Sequence, residues 1–133
     1  MEEIWIKLYE AARAVQKEVR ISDNMTAGEV SAAIESESGK IYTGVCVDSA
    51  CSLGVCAERN AMFNMITSGE YKIKRVLSIM PDGNTASPCG ACREFMMQLM
   101  GNDYKDVGIM ADYTNNKVVK LSELTPDWWT IGE

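Results

Sequence analysis

A chain of 133 residues is long enough to bury one substantial core and too short for two independent ones, so a single domain over 1–133 is expected. Its 47% hydrophobic and 24% charged residues fit a soluble globular protein, and no apolar run approaches the roughly 20 residues that cross a bilayer. The net charge of −6 opposes binding to a phosphate backbone, which excludes a large nucleic acid as the favoured partner.

The opening "MEEIWIKLYE" is acidic where a secretory leader would be basic, and no cleavage-site pattern follows it, so a cytoplasmic location is expected. Apolar Ile4, Leu8, Ala11, Ala12, Val15 and Val19 recur at spacings of three and four, which predicts an amphipathic helix over 2–20. After a loop near "SDNMTAG", the runs "EVSAAIES" and "IYTGVCV" read as two strands of a hairpin turned at "ESGK". The next segment, "CSLGVCAERNAMFNMITSG", passes from a loop into helical spacing through Ala57, Ala61, Met62, Met65 and Ile66, with Gly69 as its stop.

"RVLSIM" reads as a buried strand, "PDGNTAS" as a loop, and "PCGACREFMMQLMG" as a helix with proline at its start and glycine at its end. "DVGIMADY", the turn "TNNK" and "VVKLSEL" predict two more strands before a tail holding Pro126, Trp128 and Trp129. About five strands alternating with three helices favour an α/β fold, a layered sheet with helices covering its faces. The nine methionines, clustered at Met96, Met97 and Met100, are read as core filling.

There is no histidine, and the five cysteines are an odd number that suits a reducing compartment better than a disulfide framework. In "PCGAC", Cys89 and Cys92 are three apart and can grip one ion, while Cys56 is the candidate third ligand. Both ligand turns fall at predicted helix starts, where free N–H groups and the helix dipole stabilise thiolates. Three thiolates around Zn²⁺ leave one net negative charge, which Arg59 and Arg93, each close behind a ligand, can temper by hydrogen bonding to sulfur.

Glu58, two residues beyond Cys56, can reach the water that such a metal activates without being a ligand itself. Cys-x-Glu followed at a distance by Pro-Cys-x-x-Cys is the signature of the zinc-dependent nucleoside and base deaminases. Read alone, the Cys-x-x-Cys pair also fits a redox couple or a closed structural zinc knuckle, for which Cys46 or Cys51 would supply the fourth ligand.

Through "CAER" at 56–59 and "SPCGACRE" at 87–94 the chain resembles the cytidine deaminase family, in its small three-cysteine type. "VSAAIESESGKIYTGVCV" is similar to the family's first hairpin, and "LSELTPDWW" to its C-terminal end, so the likeness covers nearly the whole chain. The resemblance implies a layered α/β/α fold with one zinc per chain on Cys56, Cys89 and Cys92, and Glu58 as proton shuttle. It further implies attack of an activated water at C4 of a cytosine ring, protonation of N3 by Glu58 and loss of ammonia. The backbone at Ala57 and Ser87 is expected beside the ring and the departing amine, and the family's habit implies a homotetramer with shared sites.

The departures concern the substrate. Where the family places an Asn-x-Glu pair on the ribose hydroxyls, this chain has Cys46 and Asp48, a thiol and a carboxylate one methylene shorter. Where it tends to place a phenylalanine beside the base, this chain has "AGE" at 27–29. The hairpin and its following loop also resemble blasticidin-S deaminase, which ends in an aromatic near the position of Trp128 or Trp129. Expected substrates are therefore small aminopyrimidine nucleosides: cytidine or deoxycytidine first, a blasticidin-like or modified nucleoside second, with a non-catalytic zinc module as the rival of another class. Asp48 reads equally as a substrate contact or a loop hydrogen bond, whereas Trp128 and Trp129 read as packing or an interface ahead of a substrate contact, the role that the resemblance would give Trp129.

Overall fold

The computed structural model describes residues 1–130; the last three positions of the expected 1–133 domain lie outside the described residues. Helix α1 spans Glu3–Val15 and turns Trp5, Leu8 and Ala12 inward at spacings of three and four. Glu3 in its first turn and Arg13 in its last complement the helix dipole. The helix stops short of the expected residue 20. Val19–Ser22 instead form strand β1, an exposed edge pairing Val19 with Ala27 and Arg20 with Thr26. The apolar phase of the helix ran on into β-branched Val19 and Ile21, which a neighbouring strand claims.

Strand β2 covers Met25–Ser36, so part of the expected "SDNMTAG" loop is strand and only Asp23 and Asn24 form the turn from β1. Strand β3 is Ile41–Ser49, antiparallel to β2 through partners such as Ala33 and Thr43. Helix α2 is Ala57–Thr67, and β4 is Ile73–Ile79, antiparallel to β2 on the side that β1 occupies further along. Helix α3 is Gly90–Met100, ended by Gly101 at φ 58°, followed by a 3-10 segment over Gly101–Asp106.

Strand β5, Gly108–Asp112, runs parallel to β4, and β6, Lys117–Lys120, returns antiparallel to β5. The expected strand "VVKLSEL" ends at Lys120, because Leu121 donates its backbone N–H to Val107 O at 2.9 Å and buries its side chain, opening the short helix α4, Leu121–Leu124. Among the described residues this makes one mixed sheet of six strands, against about five expected, and four α-helices against three.

The pleat divides the sheet into two faces. Ala33, Leu77, Ile79 and Met110 pack against α1, whereas Ile34, Val76 and Ile109 join the core that α2 and α3 fill with Met62, Met65, Met96 and Met97. The result is a three-layer α/β/α arrangement, and the methionine cluster is core. No helix among the described residues is long and apolar enough to cross a membrane.

Candidate metal centre and active site

Helices α2 and α3 start at the same place. Cys56 and Cys89 are their N-cap residues, each with extended backbone, and Cys92 lies in the first turn of α3. Helix α2 is fixed by β3: Asn60 Nδ2 donates to Val45 O at 3.0 Å and Asn64 Nδ2 to Thr43 O at 2.8 Å. On α3, Arg93 Nη1 donates to Pro88 O at 3.0 Å, bracing the turn that carries Cys89.

The sulfur atoms of Cys56, Cys89 and Cys92 all lie within 4.8 Å of one another, and the Cys56 and Cys89 sulfurs are 3.6 Å apart. Tetrahedral ligands at a zinc–sulfur distance of about 2.3 Å stand roughly 3.8 Å from each other, so the three thiols fit a zinc ion. Three thiols would leave a tetrahedral zinc one further position, for a water or substrate.

The electrostatics differ from thiol to thiol. Burial, reinforced by the neighbouring Glu58 carboxylate, pushes Cys92 well above the ordinary thiol range, while Arg59 pulls it the other way. For Cys89 burial again opposes ionisation, but the backbone N–H of Cys92 and side-chain bonds from Cys56 and Cys92 outweigh it and bring the thiol below its usual value. Arg59 Nη2 donates to Cys56 Sγ at 3.4 Å, and this contact first, then Cys92, holds the guanidinium above its ordinary range.

Glu58 is 5% exposed. Ser78 Oγ donates to its Oε2 at 2.8 Å, and the Cys92 thiol stands 3.9 Å from its Oε1. A cavity of about 280 Å³ opens beside the thiols; Cys56, Ala57, Glu58, Ser87 and Cys89 line it together with Val30 and Cys46. Its walls are mostly apolar, and it is of a size for one small ring. A second cavity of about 360 Å³ shares Cys46 and Cys56 with it and continues past Asp48, Ser52 and Arg59. The Cys46 thiol faces Asp48 Oδ2 at 3.9 Å and accepts the Val30 N–H at 3.3 Å, and Glu29 brings a further carboxylate within 4.8 Å.

The structure therefore brings Cys56, Cys89, Glu58, Ala57, Ser87 and Cys46 around one cavity, with buried Cys92 beside the other two thiols and Asp48 on the adjoining cavity. Arg59 reaches a sulfur, whereas the hydrogen bond of Arg93 goes to a carbonyl. Trp129 is set apart: it is 74% exposed, and its Nε1 donates to Glu94 Oε2 at 3.0 Å beside Trp128, which packs on Tyr104. Cys51 is exposed in the 3-10 turn Ala50–Ser52 that follows β3. Two polar partners escaped the sequence reading, Ser78 and Glu29. The signal for Ser78 was a lone hydroxyl inside the apolar run "RVLSIM", which needs a partner once buried.

The family description "Cytidine and deoxycytidylate deaminase zinc-binding region" matches residues 5–107. A cytidine deaminase of Sporosarcina psychrophila is 33% identical over 97 residues, 72% of this chain and 67% of that protein. One of Halalkalibacterium halodurans is 31% identical over 106 residues, covering 79% and 80%. Among solved structures, cytidine deaminase from Mycobacterium leprae is similar with a TM-score of 0.75 at 25% identity, covering 92% of this chain and 98% of that one. The enzyme from Burkholderia pseudomallei gives 0.69 at 25% identity, covering 92% and 96%. Fold, thiol centre and sequence agree, and the chain belongs to the cytidine and deoxycytidylate deaminase family of zinc-dependent aminohydrolases.

Proposed function

We propose that the protein hydrolyses the 4-amino group of a cytosine-type nucleoside, cytidine or deoxycytidine, to the 4-oxo product and ammonia. The observation that carries this reading is the Glu58 carboxylate buried beside the three-thiol centre, its Oε1 3.9 Å from Cys92 Sγ, with Glu58, Cys56 and Cys89 lining one ring-sized cavity. Cys56, Cys89 and Cys92 would hold the zinc, which would supply an acidified water at the cavity.

Glu58 would take a proton from that water and deliver it to ring N3, then take the proton of the hydroxyl added at C4 and deliver it to the departing amine as the C4–N bond breaks. Ala57 and Ser87 flank the ring, the N–H groups at the start of α2 offering donors to its oxygen. Arg59 shares charge with Cys56, and Arg93 holds the Pro88 turn. Asp48 and Cys46 receive the polar groups of the sugar in the adjoining cavity.

A second reading is a bulkier cytosine nucleoside of the blasticidin type, favoured by that adjoining cavity of about 360 Å³. It is favoured also at Gly28, where the structure leaves no room for an aromatic: a Cβ there would stand 1.9 Å from Lys17 O. The reading includes a single domain over 1–133, a cytoplasmic setting and a homotetramer. Exposed Leu53, Phe63 and Trp129 offer apolar surface for self-association, which light scattering of the purified protein measures.

The test offers zinc-loaded protein cytidine, deoxycytidine, cytosine, blasticidin S and adenosine while ammonia release is followed. Glu58→Gln is expected to keep zinc and lose about 10²–10⁴-fold in kcat. Equal rates for wild type and variant would remove Glu58 from the chemistry, and zinc-loaded wild type that releases no ammonia would favour a binding module.

A further inference from the structure

We propose that Ser78 is a positioning residue for Glu58: its hydroxyl holds Oε2 and so keeps Oε1 turned toward the thiol centre. This rests on the role assigned to Glu58 above. Ser78 lies near the end of β4 and is 1% exposed, with its side chain on the sheet face that α2 covers. A hydroxyl carries one proton, and Ser78 gives it to Oε2 of Glu58 at 2.8 Å.

A carboxylate taken out of water needs donors, and one ordinary solution is a cationic partner. Among the described residues no ion pair reaches Glu58. Its partners are the Ser78 hydroxyl on one oxygen and the Cys92 thiol, at 3.9 Å, on the other. The two contacts divide the carboxylate. The oxygen bound to Ser78 is anchored to the sheet, and the oxygen left over faces a proposed zinc ligand. Without the hydroxyl, the Glu58 side chain keeps its burial and loses the bond that fixes rotation about its last torsion, which is intrinsically broad.

The backbone of the same residue serves the cavity from another side. Ser78 O accepts the N–H of Ala86 at 3.2 Å, and Ala86 and Ser87 are cavity wall. One position of β4 therefore sets both the shuttle carboxylate and the strand of chain against which the ring is expected to lie. Only the first of these depends on the side chain, so substitution separates them.

The experiment compares wild type, Ser78→Ala, Ser78→Thr, Glu58→Gln and the Ser78→Ala/Glu58→Gln double variant. For Ser78→Ala, kcat is expected to fall about 10–100-fold while zinc content and KM stay near wild type, the usual cost of losing a group that orients a catalytic one. Ser78→Thr, which keeps the hydroxyl, recovers most of the loss. In the Glu58→Gln background the alanine costs less than about twofold, because two residues acting as a unit are not additive.

A crystal structure of zinc-loaded Ser78→Ala supplies a readout independent of turnover, namely Glu58 Oε1 displaced from Cys92 Sγ. Unchanged kcat in Ser78→Ala, an equal loss in both backgrounds, or an undisturbed carboxylate in that crystal overturns the proposal. If wild type releases no ammonia from any substrate, the functional reading fails, and the carboxylate's orientation in the crystal still decides the role of Ser78.

Discussion

Gly44 of β3 and Ala61 of α2 approach so closely that a Cβ at position 44 would stand 2.3 Å from the Ala61 amide nitrogen and 2.8 Å from Ala57 O. Both obstacles are helix backbone, which cannot swing aside. Gly44→Ala is therefore expected to push α2 off the sheet and cost about 1–3 kcal/mol by overpacking. A urea midpoint that falls at constant m-value is the check. Because α2 carries Cys56 and Glu58, the same variant should bind zinc more weakly; unaltered stability would mean that the helix seats elsewhere.

The Arg59 contact to Cys56 Sγ at 3.4 Å predicts that Arg59→Gln retains the fold but holds zinc about 10–100-fold less tightly. Competition with a chromophoric chelator measures this directly. Retention equal to wild type would assign the guanidinium to the surface charge of α2.

Zinc uptake is expected to depend on pH in a definite sense. Burial and the Glu58 carboxylate keep the Cys92 thiol above its ordinary value, so in the metal-free chain it stays protonated through the neutral range. Binding must displace that proton, and the apparent affinity rises with pH, by up to about tenfold per unit for each proton displaced. Cys89, shifted the other way, contributes less of this slope. Titration calorimetry in buffers of different ionisation enthalpy should count at least one proton released per zinc, and a count near zero would contradict the assignment. Chelation should also lower the melting temperature, since the folded chain gathers the three thiols at one point and so binds the metal more tightly than the unfolded chain.

Gln16 joins two walls of the cavity from the end of α1. Its Nε2 donates to Glu29 O at 2.9 Å and to Met80 O at 3.0 Å, next to cavity-lining Val30 and at cavity-lining Met80 itself. Gln16→Ala leaves both carbonyls to find water and is expected to cost about 1–2 kcal/mol. Amide hydrogen exchange over 80–87 should quicken, with KM rising more than kcat falls. Exchange unchanged over that loop would show that the Tyr9 hydroxyl bond to Gly83 O, at 2.9 Å, suffices to hold it.

The chemical centre was legible in the sequence because its information is local. Cys-x-Glu and Cys-x-x-Cys name thiols and a carboxylate by type and spacing, and the glycines at 69 and 101 close the two helices that begin with them. Apolar spacing likewise identified α1, α2 and α3, since periodicity reports which face each helix buries. Where the reading slipped, a distant segment had the deciding voice: Val19 left the helical phase for a ladder with Ala27, and Leu121 left the strand for a bond to Val107.

Ser78 and Glu58 stand 20 residues apart and Gln16 and Met80 64 apart, so no local pattern connects them. The sequence by itself determined the layered α/β class, and it named the thiols and the carboxylate proposed as donor set and proton carrier. The tertiary structure alone decided that α2 and α3 start side by side, which oxygen of Glu58 faces the thiols, and that Trp129 donates to Glu94. Each of those outcomes depends on packing between segments far apart in the chain, and packing is settled by shape and by the satisfaction of buried polar atoms, which residue order alone does not display.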